Sequence, residues 1–288
     1  MKVMKIKFFI SLTVWAISVQ SGRSQYTSLL WEVHGNGIKN KSYLYGTIHI
    51  KDKRVFELKP SVKRAFKKCK AFAGEVILSS DSMMMMAEYM LMPPGKQLSD
   101  MMSKEDYEKV LEKINEKFKE LSFIANMIKP IYLGILLGYE EFPESMPYSL
   151  DEQLQIEAES NKKKIFGLES IREQLETLNS MPMEDQIKTL IELVNNDDEK
   201  NQMFDSLVQI YLSQNLDSLY SFVIQSEYLS KEFNLVLLKN RNIKMTERIE
   251  AIIKKHGTFI AVGAAHLPGE YGLIDLLRSK GYVVKPVY

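Results

Sequence analysis

The chain has one cysteine, Cys69, in 288 residues, so no internal disulfide staples it and its stability must come from a packed core. It has almost no net charge either. There are 38 lysines and arginines against 37 aspartates and glutamates, a formal +1. No strong field of one sign surrounds the molecule as a whole to draw in nucleic acid or an anionic membrane. A Gly-x-x-x-x-Gly-Lys loop, a helix-turn-helix cue and an RNA-binding signature are all missing. So is any apolar run of the roughly 20 residues that span a bilayer. The apolar stretch near the start, "FFISLTVWAISV", follows Lys2, Lys5 and Lys7 and precedes polar "QSGRSQ". That order is the order of a signal peptide. The expectation is a signal peptide over residues 1–24, cut between about Ser18 and Gln25, and an exported protein, periplasmic or secreted. An uncut N-terminal membrane anchor is the alternative.

What is present suits a globular protein: 45% of the residues are hydrophobic and 26% are charged. "SLLWEVHGNGIKNKSYLYGTIHI" reads as two strands joined by a Gly/Asn turn, and "ELKPSVKRAFKKCK" as a helix with Pro60 in its first turn. "AFAGEVIL", residues 71–78, reads as a strand whose one charge is Glu75. From about 81 to 161 and again from 171 to 255 the apolar spacing is helical, with the short strand "KIFGLES" between. Methionine-rich "SMMMMAEYMLM" reads as adaptable core or groove lining. The tail, "GTFIAVGAAH", "GEYGLIDLLRSKG" and "YVVKPVY", reads as strand, helix, strand, the length of a right-handed crossover. The fold class expected is α/β (α+β). A single domain over 25–288 has a mixed central sheet made of N- and C-terminal strands, with large helical insertions at about 81–161 and 171–255.

The chain has four histidines. Two of them, His49 in "YLYGTIHI" and His266 in "FIAVGAAHLPGE", each end an apolar strand. Each follows a glycine by three residues, Gly46 and Gly263, although the two sites lie more than two hundred residues apart. Ligands gather at the carboxyl ends of strands in α/β sheets, and a glycine there admits close approach of backbone or ligand. Two imidazoles do not complete a catalytic metal site, which usually takes three protein ligands and an open position. Glu75 is the third candidate, because a carboxylate in an apolar strand is costly unless paired or bound to metal. Glu169 ends "FGLE" and serves as a further ligand, a general base, or an acidic start to the next helix. Arg241 in "LKNRNIKM" serves an oxyanion, a substrate carboxylate or an ion pair. Asp151 reads as a first-turn helix residue and Cys69 as a small buried side chain. His34 and His256 read as ordinary.

"LLWEVHGNGIKNKSYLYGTIHI", "AFAGEVIL", "LDEQL", "FGLESIREQLETL", "LLKNRNIKM" and "FIAVGAAHLPGEYGLIDLLRSKGYVVKPV" together carry a resemblance. The chain resembles the TraB/GumN family, also called Tiki-like after the animal metalloproteases that share its motifs. The family's two Gly-x-x-His motifs fall on Gly46 with His49 and Gly263 with His266, its glutamate on Glu75 and its arginine on Arg241. Members often carry a second acid two residues after the glutamate, and here that position is Ile77. The resemblance implies a mixed central sheet related to the haem-binding ChaN proteins and to erythromycin esterases. It also implies metal-dependent hydrolysis of peptide or protein substrates, with His49, His266 and Glu75 on a divalent ion and Arg241 on the oxyanion. Zinc, manganese and cobalt all suit imidazole with carboxylate, and whether Glu75 is ligand or general base stays open. A non-catalytic haem-, metal- or peptide-binding protein and a metal-independent esterase are the other readings.

Overall fold

The computed structural model describes residues 26–77, 80–139, 146–195, 197–225, 233 and 236–288. The signal-peptide expectation and the far end of the strand expected over 71–78 lie outside them. Six strands form one sheet: β1 (Leu30–Gly35), β2 (Ser42–Thr47), β3 (Ala71–Gly74), β4 (Lys164–Gly167), β5 (Thr258–Gly263) and β6 (Tyr282–Val287). Their spatial order is β4-β3-β5-β2-β1-β6. β4, β3, β5 and β2 run parallel, and β1 is antiparallel to both β2 and β6. The mixed sheet built from both ends of the chain is therefore present.

Local chemistry explains each piece. Gly35, Asn36 and Gly37 all take positive φ (84°, 44° and 77°) and turn the chain from β1 into β2, as residues tolerant of that region do. The central strands β2, β3 and β5 are buried nearly throughout, as strands covered on both faces must be. The tail is the expected strand, helix and strand, with its two strands apart in the sheet. The helix Leu273–Ser279 leads not to a neighbour of β5 but to β6, which pairs with β1 at the far edge, beyond β2 and β1. β6 is still parallel to β5, so the crossover skips two strands.

Among the described residues, ten further helices are α1 (Pro60–Lys68), α2 (Ser80–Met90), α3 (Lys104–Lys117), α4 (Pro130–Tyr139), α5 (Leu150–Ser160), α6 (Ile171–Asn179), α7 (Met183–Asn195), α8 (Asp197–Leu212), α9 (Leu216–Ile224) and α10 (Arg241–Ile253), with Leu273–Ser279 as α11. Two apolar cores result. One joins the sheet (Trp31, Leu44, Phe72, Phe259) to α5, α8, α10 and α11 through Leu154, Tyr211, Met245 and Ile274. The other is helical, joining Val110 and Ile114 of α3, Leu133 of α4, Leu175 of α6 and Leu190 of α7. Met85, Met86 and Met90 pack on this second core, while Met84 is exposed. Cys69 caps α1 and is buried, its thiol pushed up to about 12 by desolvation.

Candidate active site at the carboxyl edge of the sheet

The parallel register sets Gly46 against Val262 and Thr47 against Gly263. The two Gly-x-x-His motifs therefore end on adjacent strands, side by side. A Cβ on Gly46 would come within 3.0 Å of Ala264 Cβ and Leu267 Cδ1, so the glycine lets β2 pack against the short 3-10 turn, Ala264–His266, that carries the second histidine. A Cβ on Gly263 would stand 3.1 Å from Glu75 Oε1 and 3.5 Å from His266 Cδ2. Here the missing side chain is space that the carboxylate uses.

The four adjacent parallel strands each deliver a titratable residue to this one edge. His49 follows β2, Glu75 follows β3 directly, Glu169 follows β4 and His266 follows β5. The strand expected over 71–78 stops at Gly74, so Glu75 sits beyond the ladder rather than inside it. Glu169 is not a helix cap. Ser170 caps α6 in a reciprocal box with Glu173, while Glu169 is buried and turned inward. Ile77, in the place of the second acid, packs near Gly74 and Gly167.

Arg241 opens α10 immediately after a π-helical turn at Val236–Asn240, a local widening common at functional sites. Its Nε donates to both Glu169 oxygens at 3.0 and 2.9 Å, and its Nη2 donates to Glu169 Oε2 at 2.7 Å and to Glu75 Oε2 at 2.6 Å. Nη1 donates to the Leu237 carbonyl at 3.2 Å. Of the five guanidinium N–H groups, these contacts engage all but one of those on Nη1. Glu75 is held from its other side by the Gly263 N–H, 2.6 Å from Oε1. Burial pushes the Glu75 carboxyl up, but the charges of His266 and Arg241 and the Gly263 N–H outweigh it and leave it at about 2.

His266 is buried. Its Nδ1 lies 2.6 Å from Asn242 Oδ1. The Asn242 Nδ2 donates to the carbonyls of Tyr271 (2.7 Å) and His266 (3.3 Å), so Oδ1 is the end that accepts. The hydrogen-bond network thus assigns the ring proton to Nδ1. Nε2 then presents its lone pair toward Glu75 Oε1, 3.7 Å away. Burial, with Arg241 beside it, pushes this imidazole down to about 4 against the pull of Glu75. It is neutral at physiological pH.

His49 repeats the arrangement. Its Nδ1 lies 2.8 and 2.7 Å from the two oxygens of Asp151 in the first turn of α5. Desolvation pushes His49 down, but the Asp151 hydrogen bond and charge, then Glu152 and Glu75, outweigh it and raise its pKa. Both histidines thus share the influence of Glu75. Sequence reasoning missed Asp151 as a site residue, because its place in a first turn already accounted for it. It also missed Asn242, whose one signal was its position after Arg241 in "RN".

A metal-holding reading is testable against these donors. Each imidazole has Nδ1 committed to a protein oxygen, which orients the ring and directs Nε2 elsewhere, the pattern of metal-binding histidines. The His266 Nε2 and Glu75 Oε1 gap suits two ligands of one ion, since bonds to zinc are about 2.0–2.2 Å. Among the described residues, no three histidine, cysteine, aspartate or glutamate side chains close on one point. The donor types are ones a divalent ion accepts, and the described residues bring together two of them, not three.

The TraB/PrgY/gumN family profile matches residues 29–286, nearly the whole described chain. The protein belongs to the TraB/PrgY/gumN family. It is also similar to the metalloprotease TIKI1 of Danio rerio, 24% identical over 91% of this chain and 64% of that protein. A similar match is the metalloprotease TIKI2 of Xenopus tropicalis, 24% identical over 90% of this chain and 59% of that one. The metalloprotease TIKI homolog of Nematostella vectensis is 22% identical over 92% of this chain and 68% of its own length. The chain thus spans about three fifths of the first two relatives. No solved structure matches.

Proposed function

We propose that the protein is a metal-dependent hydrolase that cleaves peptides or proteins, acting outside the cytoplasm after export. The observation that carries this reading is the pair of His266 Nε2 and the charged Glu75, 3.7 Å apart at the sheet edge where β2 also ends, just before the ring-oriented His49. The names of the similar proteins support it. His49 and His266 would bind through Nε2, with Glu75 through Oε1. A divalent ion there would supply Lewis acidity, polarising a carbonyl and lowering the pKa of water toward about 7.

The chain's own residues do the rest. Asp151 and Asn242 fix the ring orientations and tautomers. Glu75 stays ionised at neutral pH, which suits a ligand and not a base, since a general base works best with a pKa near the operating pH. Arg241 holds Glu75 and Glu169 in place, and its remaining Nη1 N–H is the donor that would meet an oxyanion. Glu169 anchors Arg241.

The test is cleavage of a fluorogenic peptide library by metal-depleted protein, with zinc, manganese or cobalt added back, alongside elemental analysis. His49→Ala and His266→Ala should each abolish metal-restored turnover and lower bound metal. Turnover that survives both chelation and both substitutions overturns the proposal. The His49–Asp151 pair favours a second reading, a metal-independent hydrolase with His49 as general base. Chelator-insensitive ester hydrolysis lost in His49→Ala and kept in His266→Ala would select it.

A further inference from the structure

The even charge balance of the chain is not even in space. At the opposite edge of the sheet, where β3 and β4 begin, lies a cavity of about 530 Å³, within the range of small-molecule sites. Lys63, Lys67, Lys70, Lys162 and Lys163 line it, and Glu157 is the one acid among them. Lys163 has a structural task. Its Nζ donates to the Phe66 and Cys69 carbonyls at 2.8 and 2.5 Å, closing the end of α1, and it stands over the Phe66 ring. The other four are exposed and make no ion pair with any described residue. Four exposed ammonium groups around one cavity give it a positive potential that attracts an anion.

Lys162 adds an independent observation. It stands just past the end of α5, where its N–H bonds the Glu159 carbonyl and that of Lys163 bonds Ala158. This is the helix-ending turn that glycine normally fills. Lys162 adopts φ 54° there, a conformation that disfavours a side chain. Leu58, Phe66 and Leu154 give the cavity an apolar wall.

We infer that this cavity binds a phosphate-bearing ligand with an apolar body, gripped by Lys63, Lys67, Lys70 and Lys162. Lysine binds phosphate as a mobile point charge, and a phosphate monoester brings nearly two charges and three acceptor oxygens. A single carboxylate would leave most of the lysines unanswered. The source is either a lipid headgroup or a free phosphate ester. Lys70 and Glu75 bracket β3, so the cavity lies about 16 Å along the strand from the candidate active site, and its variants leave that site intact.

The experiment uses the full chain with two probes, inorganic tripolyphosphate by calorimetry and phosphatidic acid-containing vesicles by sedimentation, at low salt. Binding should weaken about thirtyfold in Lys63→Gln/Lys70→Gln, the effect of removing two lysines at an anionic surface. Lys162→Gly should raise the melting temperature, because glycine relieves the backbone, and still weaken binding; it keeps the test valid if the double variant folds poorly. Vesicle binding without tripolyphosphate binding assigns the lipid source. Tripolyphosphate binding assigns the free ester. Binding of neither probe, or binding unchanged in the variants, overturns the inference.

Discussion

Replacing Arg241 with methionine would leave the Glu75 and Glu169 carboxylates facing each other without a cation. In the native protein both accept from one nitrogen, Nη2, at 2.6 and 2.7 Å, and the side chains are 11% (Arg241), 22% (Glu75) and 2% (Glu169) exposed. Carboxylates held within about 5 Å repel by roughly 3 kcal/mol at an effective dielectric of 20. Removing one partner of a buried pair costs about 3–5 kcal/mol, so urea unfolding of Arg241→Met at neutral pH should show a loss of that size. The pH dependence gives a second readout with a definite sign. Repulsion raises the folded-state pKa of one glutamate above its unfolded value, so the variant should regain stability as pH falls from about 7 to 5, where protonation removes the repulsion. The wild type should gain less over the same interval, because the depressed His266 opposes the raised His49. Adding Glu75→Gln and Glu169→Gln to Arg241→Met should restore most of the loss, since neutral partners need no cation. An Arg241→Met protein within about 1 kcal/mol of wild type, or one that weakens further on acidification, would refute the electrostatic account.

Asn242→Leu and Asp151→Ala should each weaken zinc affinity about 10–100-fold, measured by competition with a chromophoric chelator, because they release the ring orientation; unchanged affinity would mean that the rings are oriented by packing alone. Gly263→Ala should destabilise by about 1–3 kcal/mol in chemical denaturation, because the new Cβ meets Glu75 Oε1 at 3.1 Å. A neutral result would show that the carboxylate has room to shift. Wild-type stability should fall with acid. His266 has a folded pKa of about 4 against an ordinary 6.5, so its contribution is complete above about 6.5 and lost toward 4. Glu75, at about 2 against 4.5, adds a loss between about 4.5 and 2. A flat urea midpoint from pH 7 to 4 would contradict the His266 assignment, and a flat one from pH 4.5 to 2 the Glu75 assignment.

Much of the site was legible before any coordinates. The repeated glycine spacing pointed to His49 and His266 as candidates, and the lone charge of "AFAGEVIL" pointed to Glu75, because an apolar strand carries a charge at a cost unless something answers it. Less was legible wherever one residue type serves two roles. Asp151 satisfies a helix N-terminus and a histidine at once, and only the second role depends on a residue about a hundred positions away. Arg241 was open between oxyanion and ion pair. The structure engages it with two glutamates that arrive from separate strands. The end of β3 at Gly74 was misplaced because "VIL" is as apolar as the strand before it.

The sequence by itself determined which residues had reason to leave water, which had reason to bend and which could carry charge or a ligand. These are properties of a side chain and its near neighbours, and periodicity exposes them. Only the tertiary structure decided which distant strands lie side by side, that Asn242 assigns the His266 proton to Nδ1, and that lysines from separate stretches of a nearly neutral chain gather around one cavity. Pairing across more than two hundred residues is selected by the packing of the whole core, and no local stretch of chain contains that information.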